Sequence, residues 1–330
     1  MNSSAKVKYS VLDLAPVAVG QTISDAFKNT AELAQHAERL GFNRYWLAEH
    51  HNMDGIASAA TSVLIGYVAS KTNTIRVGSG GIMLPNHAPL VIAEQFGTLE
   101  SLYPGRIDLG LGRAPGTDQA TMRALRRDLQ NQDFGEQVQE LFYYFSEGSR
   151  HNKIKANPGT GLDIPIWLLG SSLFSAELAG QLGLPYSFAS HFAPELLMSA
   201  LDVYRTHFKP SKHLKAPYVM IGVQAMAADK NEQAEFLLTS QYLRFLSLIR
   251  GQSIQLKPPV KNMAGLWTPA EEPYVKGRFE SAVFGGPEKV KMQLNALIEK
   301  TQANEVIITS EPYDHQARLR SFEILAEVLH

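Results

Sequence analysis

The sequence predicts an α/β protein built as a closed (β/α)8, TIM-type barrel with a long insertion before its final strand. Three observations point there. Eight short apolar runs read as strands, at least one helical stretch separates each from the next, and no Pro/Ser-rich linker divides the 330 residues. Strands joined through helices run parallel, because each crossover returns the chain to the same end. Eight such units fit a closed barrel better than an open doubly wound sheet, which stands as the structural alternative.

The elements follow in order. Tyr9 to Leu14 reads as the first strand, and Thr22 to Leu40 as a helix with Thr22 or Ser24 as its cap. Leu33, Ala34, Ala37 and Leu40 share one face of that helix, and Gly41 stands where it stops. Arg44 to Ala48 and Ile75 to Gly80 are the next strands, with helices Thr61 to Ser70 and Leu90 to Leu102 behind them. Arg106 to Leu111 precedes a helix at Glu136 to Phe145, and Ile166 to Leu169 precedes one at Phe174 to Leu182. Tyr186 to Ala189 leads to Pro194 to Phe208, and Tyr218 to Ala227 to Glu232 to Ile249. The eighth strand, Glu305 to Thr309, lies between helices at Pro287 to Lys300 and His315 to Leu329. Only Gly251 to Phe284 breaks the rhythm. It carries Pro258, Pro259, Pro269, Pro273, Gly265 and Gly277, and shows no convincing helical period. Loops this long in a compact domain are usually lids or disordered excursions. Residues 1–330 therefore read as one barrel domain with 251–284 as its lid, in which Trp267 and Tyr274 are candidates to close over a pocket.

Composition excludes several functions. Thirty-one basic residues balance 32 acidic ones for a net charge of -1, and no basic patch interleaves with aromatics, so nucleic acid is not an expected partner. With no cysteine there can be no disulfide, thiolate nucleophile or Fe–S cluster. The longest apolar run, Val63 to Ala69, is too short to span a bilayer. The opening MNSSAKVKYS lacks an apolar signal core, so a soluble cytoplasmic protein with no membrane partner is expected.

In parallel barrels the active site lies at the carboxyl ends of the strands. Strand 2 ends in Glu49-His50-His51-Asn52. Histidine carries protons near neutral pH, and a glutamate beside it can orient a ring. Position alone leaves catalysis and simple packing both open. Metal binding by His50 and His51 together is disfavoured, because successive side chains on a strand point to opposite faces, and no H-x-H or H-E-x-x-H spacing occurs. Strand 3 ends in Gly80-Gly81, which implies a close backbone approach or a bulge. Arg113 follows strand 4 in a Gly/Pro-rich turn and can grip a phosphate or pair with Asp118. Strand 5 ends in Gly170-Ser171-Ser172 at a helix start, a pattern that serves either as an anion site or as a plain N-cap. Since strands 4 and 5 are neighbours, Arg113 and these serines can reach one phosphate.

These strand ends together resemble the bacterial luciferase-like flavin monooxygenases over almost the entire chain. The resemblance rests on WLAEHHN (46–52), VGSGGIMLPNHAPL (77–90), PGRIDLGLGRAPG (104–116), WLLGSS (167–172), LGLPYSFASHF (182–192) and YDHQARLRSFEILAEVL (313–329). It implies that His50 is the active-site histidine and that Gly80-Gly81 forms a non-proline cis peptide beneath the isoalloxazine ring. It implies that Arg113, Ser171, Ser172 and Ser175 hold the flavin phosphate, with no metal. The implied reaction takes reduced FMN from a separate reductase and O2, and oxidises a small organic substrate through a C4a-peroxyflavin. Ser171 stands where the light-emitting enzymes have an acid, and Gly112 where some have a cysteine, so light emission is not expected. Alternatives within the resemblance are a deazaflavin-dependent hydride-transfer enzyme and a non-catalytic flavin-binding paralogue; a metal-dependent hydrolase lies outside it. The family commonly dimerises through the helices after strands 2 and 3, so a homodimer is implied.

Overall fold

A computed structural model describes residues 6–125 and 133–329. Eight parallel strands close on themselves: β1 (Lys8–Asp13), β2 (Arg44–Leu47), β3 (Arg76–Ser79), β4 (Ile107–Gly112), β5 (Ile166–Gly170), β6 (Tyr186–Phe188), β7 (Val219–Ala227) and β8 (Glu305–Thr309). Each pairs with the next, and β8 pairs with both β7 and β1, so the sheet has no open edge. The closed barrel read from the sequence is what forms, not the open doubly wound sheet. The helices lie outside, each returning the chain to the amino end of the following strand.

The first helix shows how local chemistry sets the boundaries. Ile23–Arg39 starts at Thr22, whose hydroxyl accepts from the Asp25 N–H while the Asp25 carboxylate accepts from the Thr22 N–H. This capping box satisfies two otherwise orphaned donors. Its inner face, with Leu33, Ala34 and Ala37, is fully buried against β1 and β2.

Between β3 and β4 the ladder is interrupted. Val77 and Gly78 pair with Ile107 and Asp108, the Gly80–Gly81 peptide is cis, and pairing resumes only at Ile82–Met83 against Leu111 and Gly112. Ser79 bridges the gap, its hydroxyl donating to the Gly110 carbonyl at 2.8 Å and accepting from the Gly110 N–H at 3.0 Å. The main chain is thereby turned toward the barrel axis without leaving polar groups bare.

Inward-pointing residues fill the lower barrel. Trp46 of β2 and Trp167 of β5 meet edge to face at 5.2 Å, with Leu12, Met220 and Ile307 around them. Beneath lies a polar network at the amino ends of the strands. Arg44 bonds to both Glu305 and Asp108, Asp108 also accepts from Arg76 and the Trp46 indole, and Glu305 also accepts from Ser10, Asn43 and Tyr218. A buried charge is tolerable only when paired and hydrogen-bonded in this way.

The 251–284 insertion is more ordered than its composition predicts. It contains a helix, Glu271–Arg278, and its end, Val283–Gly285, pairs with the last residues of β7. Pro273 falls in the first turn of that helix, where a missing N–H costs nothing, and acids open it while Lys276 and Arg278 close it, matching the helix dipole. Met263, Val275, Phe279 and Ala282 form a separate small core with helix Asn231–Ile249. No helix among the described residues is long and apolar enough to cross a membrane.

Candidate active site

The carboxyl ends of the strands open into a cavity of about 480 Å³. Trp46, Leu12 and Ile307 make its floor, and the walls come from the loops after the strands, from helix Asn231–Ile249 and from the insertion. His50, Gly80, Gly81, Arg113, Ser171, Ser172 and Ser175 all line it, so residues up to 125 positions apart in the chain meet in one space.

His50 sits at the end of β2 with its backbone N–H bonded to the Ser58 carbonyl at 3.0 Å and its Nδ1 3.3 Å from the Gly116 carbonyl. Burial pushes its pKa below the ordinary histidine value. The ring is therefore neutral near pH 7, and a carbonyl acceptor at Nδ1 assigns the proton there and a lone pair to Nε2. Its neighbours point the other way, as strand alternation requires. Glu49 accepts from His51 and His87, each at 2.9 Å, and from the Met83 N–H at 3.0 Å. Burial acts to raise the Glu49 pKa, but hydrogen bonds from His51, His87 and Met83 outweigh it and hold the carboxyl at about 2. The possible ligand atoms of Glu49, His51 and His87 lie within 4.8 Å of one another, but the carboxylate is engaged as a hydrogen-bond hub that pins the loop carrying His50.

Gly80 and Gly81 present bare backbone to the cavity. A Cβ on Gly80 would fall 2.7 Å from Leu12 Cδ1, and one on Gly81 would fall 2.8 Å from the Gly110 carbonyl oxygen. At Gly81 the obstacle is the main chain of β4, which leaves room only for glycine, whereas at Gly80 it is the movable end of Leu12.

Arg113 and the serine turn converge on the other side. The Arg113 guanidinium lies over the Phe174 ring at 4.3 Å, on the first turn of helix Leu173–Leu182. Ser172 is the N-cap of that helix, yet no side chain caps it, so its first amides point outward as donors. Ser171 is exposed beside them. Ser175 differs from the reading that makes it a ligand: it is 3% exposed, and its hydroxyl donates to the Ser172 carbonyl at 3.0 Å. Its bond stiffens the turn rather than reaching outward. Gly170 is glycine because a Cβ there would lie 2.0 Å from the Ser175 hydroxyl.

Several lining residues escaped the sequence reading. His191, after β6, is half-buried; desolvation, with Arg278 and His50 nearby, depresses its pKa to about 4. Its Nδ1, the Thr309 hydroxyl and one Glu311 carboxylate oxygen are buried without hydrogen-bond partners among the described residues. All three residues line the cavity. An unsatisfied buried polar atom costs roughly 1–3 kcal/mol, so these three give the cavity wall polar groups open to a bonding partner. Glu311 also pairs with Arg244, which donates to the Gly55 carbonyl at 3.2 Å. Thr309 ends β8 and Glu311 follows it, where the strand-end rule would have found them; Arg244 sits inside a helix and Arg278 in the insertion, where no rule points. Trp267 and Tyr274 do not line the cavity. They pack on Tyr242 at 5.8 Å and Phe245 at 5.7 Å, and Phe192, Phe245 and Phe279 supply the aromatic wall instead.

The profile of the luciferase-like monooxygenases matches residues 7–305. The chain belongs to that family. It is 58% identical over 321 residues to the Bacillus subtilis protein YvbT, covering 97% of this chain and 96% of that one. It is 52% identical over 324 residues to the luciferase-like monooxygenase of Escherichia coli K12, covering 98% and 97%. Among solved structures, apo-MsnO8 shares 35% identity over 98% of each chain, with a TM-score of 0.91. At lower identity the fold alone is shared with the oxygenating constituent of 3,6-diketocamphane monooxygenase from Pseudomonas putida in complex with FMN (17%, 98% and 97% of the chains, TM-score 0.73). The same holds for an F420-dependent secondary alcohol dehydrogenase (15%, 98% and 99%, TM-score 0.69). The bare Gly80–Gly81 backbone, the uncapped helix end and the neutral imidazole together suit a flat ring with an anionic tail, the chemistry of a flavin. The residues present fit such a group.

Proposed function

We propose that this protein is an FMN-dependent monooxygenase that takes reduced FMN from a separate flavin reductase and uses O2 to oxidise a small organic substrate. The carrying observation is the two-ended cavity: Arg113 with the uncapped amides after Ser171-Ser172 at one side, and neutral His50 with unsatisfied polar groups at the other. The phosphate would be held by Arg113, Ser171, Ser172 and the helix amides, with Ser175 bracing the turn. The flat ring would rest on Gly80 and Gly81. When bound, the reduced flavin supplies the electrons that activate oxygen. His50 Nε2 is placed to accept or return a proton in the cavity, an effect worth typically about 10²–10⁴-fold. Phe192, Phe245, Phe279 and Met53 exclude water, and residues 251–284 act as the lid on this space.

Anaerobically reduced FMN is mixed with the protein, air is admitted, and absorbance is followed. The protein should slow reoxidation and pass through a species distinct from free oxidised and reduced FMN. Reoxidation at the rate of free FMN without such a species defeats the proposal. A clear binding preference for a deazaflavin over FMN moves the protein to the hydride-transfer branch.

The proposal includes a homodimer through helices Thr61–Lys71 and Pro89–Leu102. Val63 is 72% exposed and Leu102 63%, on helices that are apolar nearly all round. Light scattering at micromolar concentration should report twice the mass of 36.4 kDa.

A further inference from the structure

Four buried or partly buried arginines pair with carboxylates, and one arginine lining the cavity has no such counter-ion among the described residues. Arg44, Arg76, Arg244 and Arg318 each pair with a buried carboxylate. Arg278, the last residue of the insertion helix, is half-buried and forms no ion pair among the described residues. Its guanidinium lies 5.3 Å from the Phe192 ring centre and 5.9 Å from that of Phe245, and one Nη donates to the His191 carbonyl. Two aromatic rings thus flank the guanidinium and a carbonyl takes one N–H, and no other acceptor for its donors is found among the described residues. Burial pulls its pKa below the ordinary arginine value, with only Tyr274 opposing, so the cation's lost hydration is not repaid by any carboxylate. Both rings and the guanidinium line the same cavity as His50.

We propose that Arg278 is the specificity-determining anchor for an anionic organic substrate: a molecule with an apolar body and a carboxylate or similar oxyanion. A guanidinium fork matches such a group bidentately. Phe192, Phe245, Phe279 and Leu248 would take the apolar part. The anchor is carried by the insertion and tied to the loop after β6 through His191, so capture of the anion fastens the insertion over the mouth. Arg244 and Arg113 also line the cavity, but Arg244 is paired with Glu311, and Arg113 lies over Phe174 on the β5 side, at the uncapped helix. Arg278 and Arg113 therefore serve two anionic groups. What is done to the captured molecule rests on the proposed function; its capture does not.

The test uses octanoate and octan-1-ol, which share an apolar body and differ in charge. Each is titrated calorimetrically into the full chain, with and without oxidised FMN. Octanoate should bind at least tenfold more tightly than octan-1-ol. Arg278→Gln, which keeps much of the packing stem, should remove that advantage while leaving octan-1-ol within about twofold, and Arg278→Lys should restore part of it. Arg113→Ala should leave octanoate affinity within about twofold in the FMN-loaded protein. Equal binding of the two probes, no saturable octanoate binding, or loss through Arg113→Ala but not Arg278→Gln each overturns the proposal. Because no reduction or oxygen is involved, these outcomes are independent of whether reduced FMN reacts as proposed.

Discussion

The two ends of the barrel handle polar groups in opposite ways. At the amino ends of the strands, Arg44, Arg76, Asp108 and Glu305 are buried and saturate one another, and Trp46, Tyr218, Asn43 and Ser10 complete the set. At the carboxyl ends, His191, Thr309 and Glu311 keep buried atoms unsatisfied, and Arg278 keeps a charge without a counter-ion. A complete network holds a shape; an incomplete one waits for a partner. The difference separates stability from function within one fold, as parallel barrels do generally.

Mutation should break that contrast in a graded order. The largest effect is expected from Asp108→Ala, which strips Arg44 and Arg76 of a fully buried acceptor; urea denaturation should show a loss of about 3–5 kcal/mol. A loss under 1 kcal/mol would mean that the lower network does not hold the barrel. His50→Ala should do the reverse: turnover falls by about 10²–10⁴-fold while the unfolding midpoint barely moves. Comparable losses in both would erase the distinction between the ends.

Acidification sharpens it further. The folded pKa of His191, about 4, is below the usual histidine value, so the unfolded chain binds more protons as pH falls. Stability should therefore decline from about pH 6.5 and level off near pH 4, by on the order of 3 kcal/mol. Glu49, held at about 2, acts in the same direction in a lower window: its contribution is complete above the usual carboxylate range and is lost as pH falls from there toward 2. Chemical denaturation of His191→Gln across pH 4 to 7 should show a flatter curve than the parent; an unchanged curve would remove His191 from this role. The smallest effect is expected for Arg113→Ala, which should weaken FMN binding by roughly tenfold to a hundredfold with unchanged stability of the flavin-free protein. Fluorescence titration with FMN and riboflavin checks this, since only the phosphate-bearing ligand should lose affinity.

Much of the site was legible because its residues follow strands. His50, Gly80, Gly81, Arg113 and the Ser171-Ser172 turn stand where any parallel barrel aims its chemistry, and all of them line the cavity. The insertion was harder to read. Pro273 and Gly277 look like helix breakers in isolation, yet Pro273 opens helix Glu271–Arg278, and the acids and bases at its ends match the dipole. Trp267 and Tyr274 drew attention by size, but their faces are taken by Tyr242 and Phe245. Arg244 and Arg278 carry no local signal, because an arginine in a helix has the same sequence context whether it faces water or a pocket.

The sequence by itself pointed to parallel strands and favoured a barrel, since eight apolar runs alternate with helices, while closure of β8 against β1 came only with the tertiary structure. It also placed the strand ends, and with them the histidine, the paired glycines and the phosphate-type turn. Only the tertiary structure decided which polar groups are satisfied. Hydrogen bonding and ion pairing join residues such as Arg44 and Glu305, 261 positions apart, and leave Arg278 without a counter-ion among the described residues. Whether a buried charge is fulfilled or waiting depends on what faces it across the barrel, which no local pattern of residues encodes.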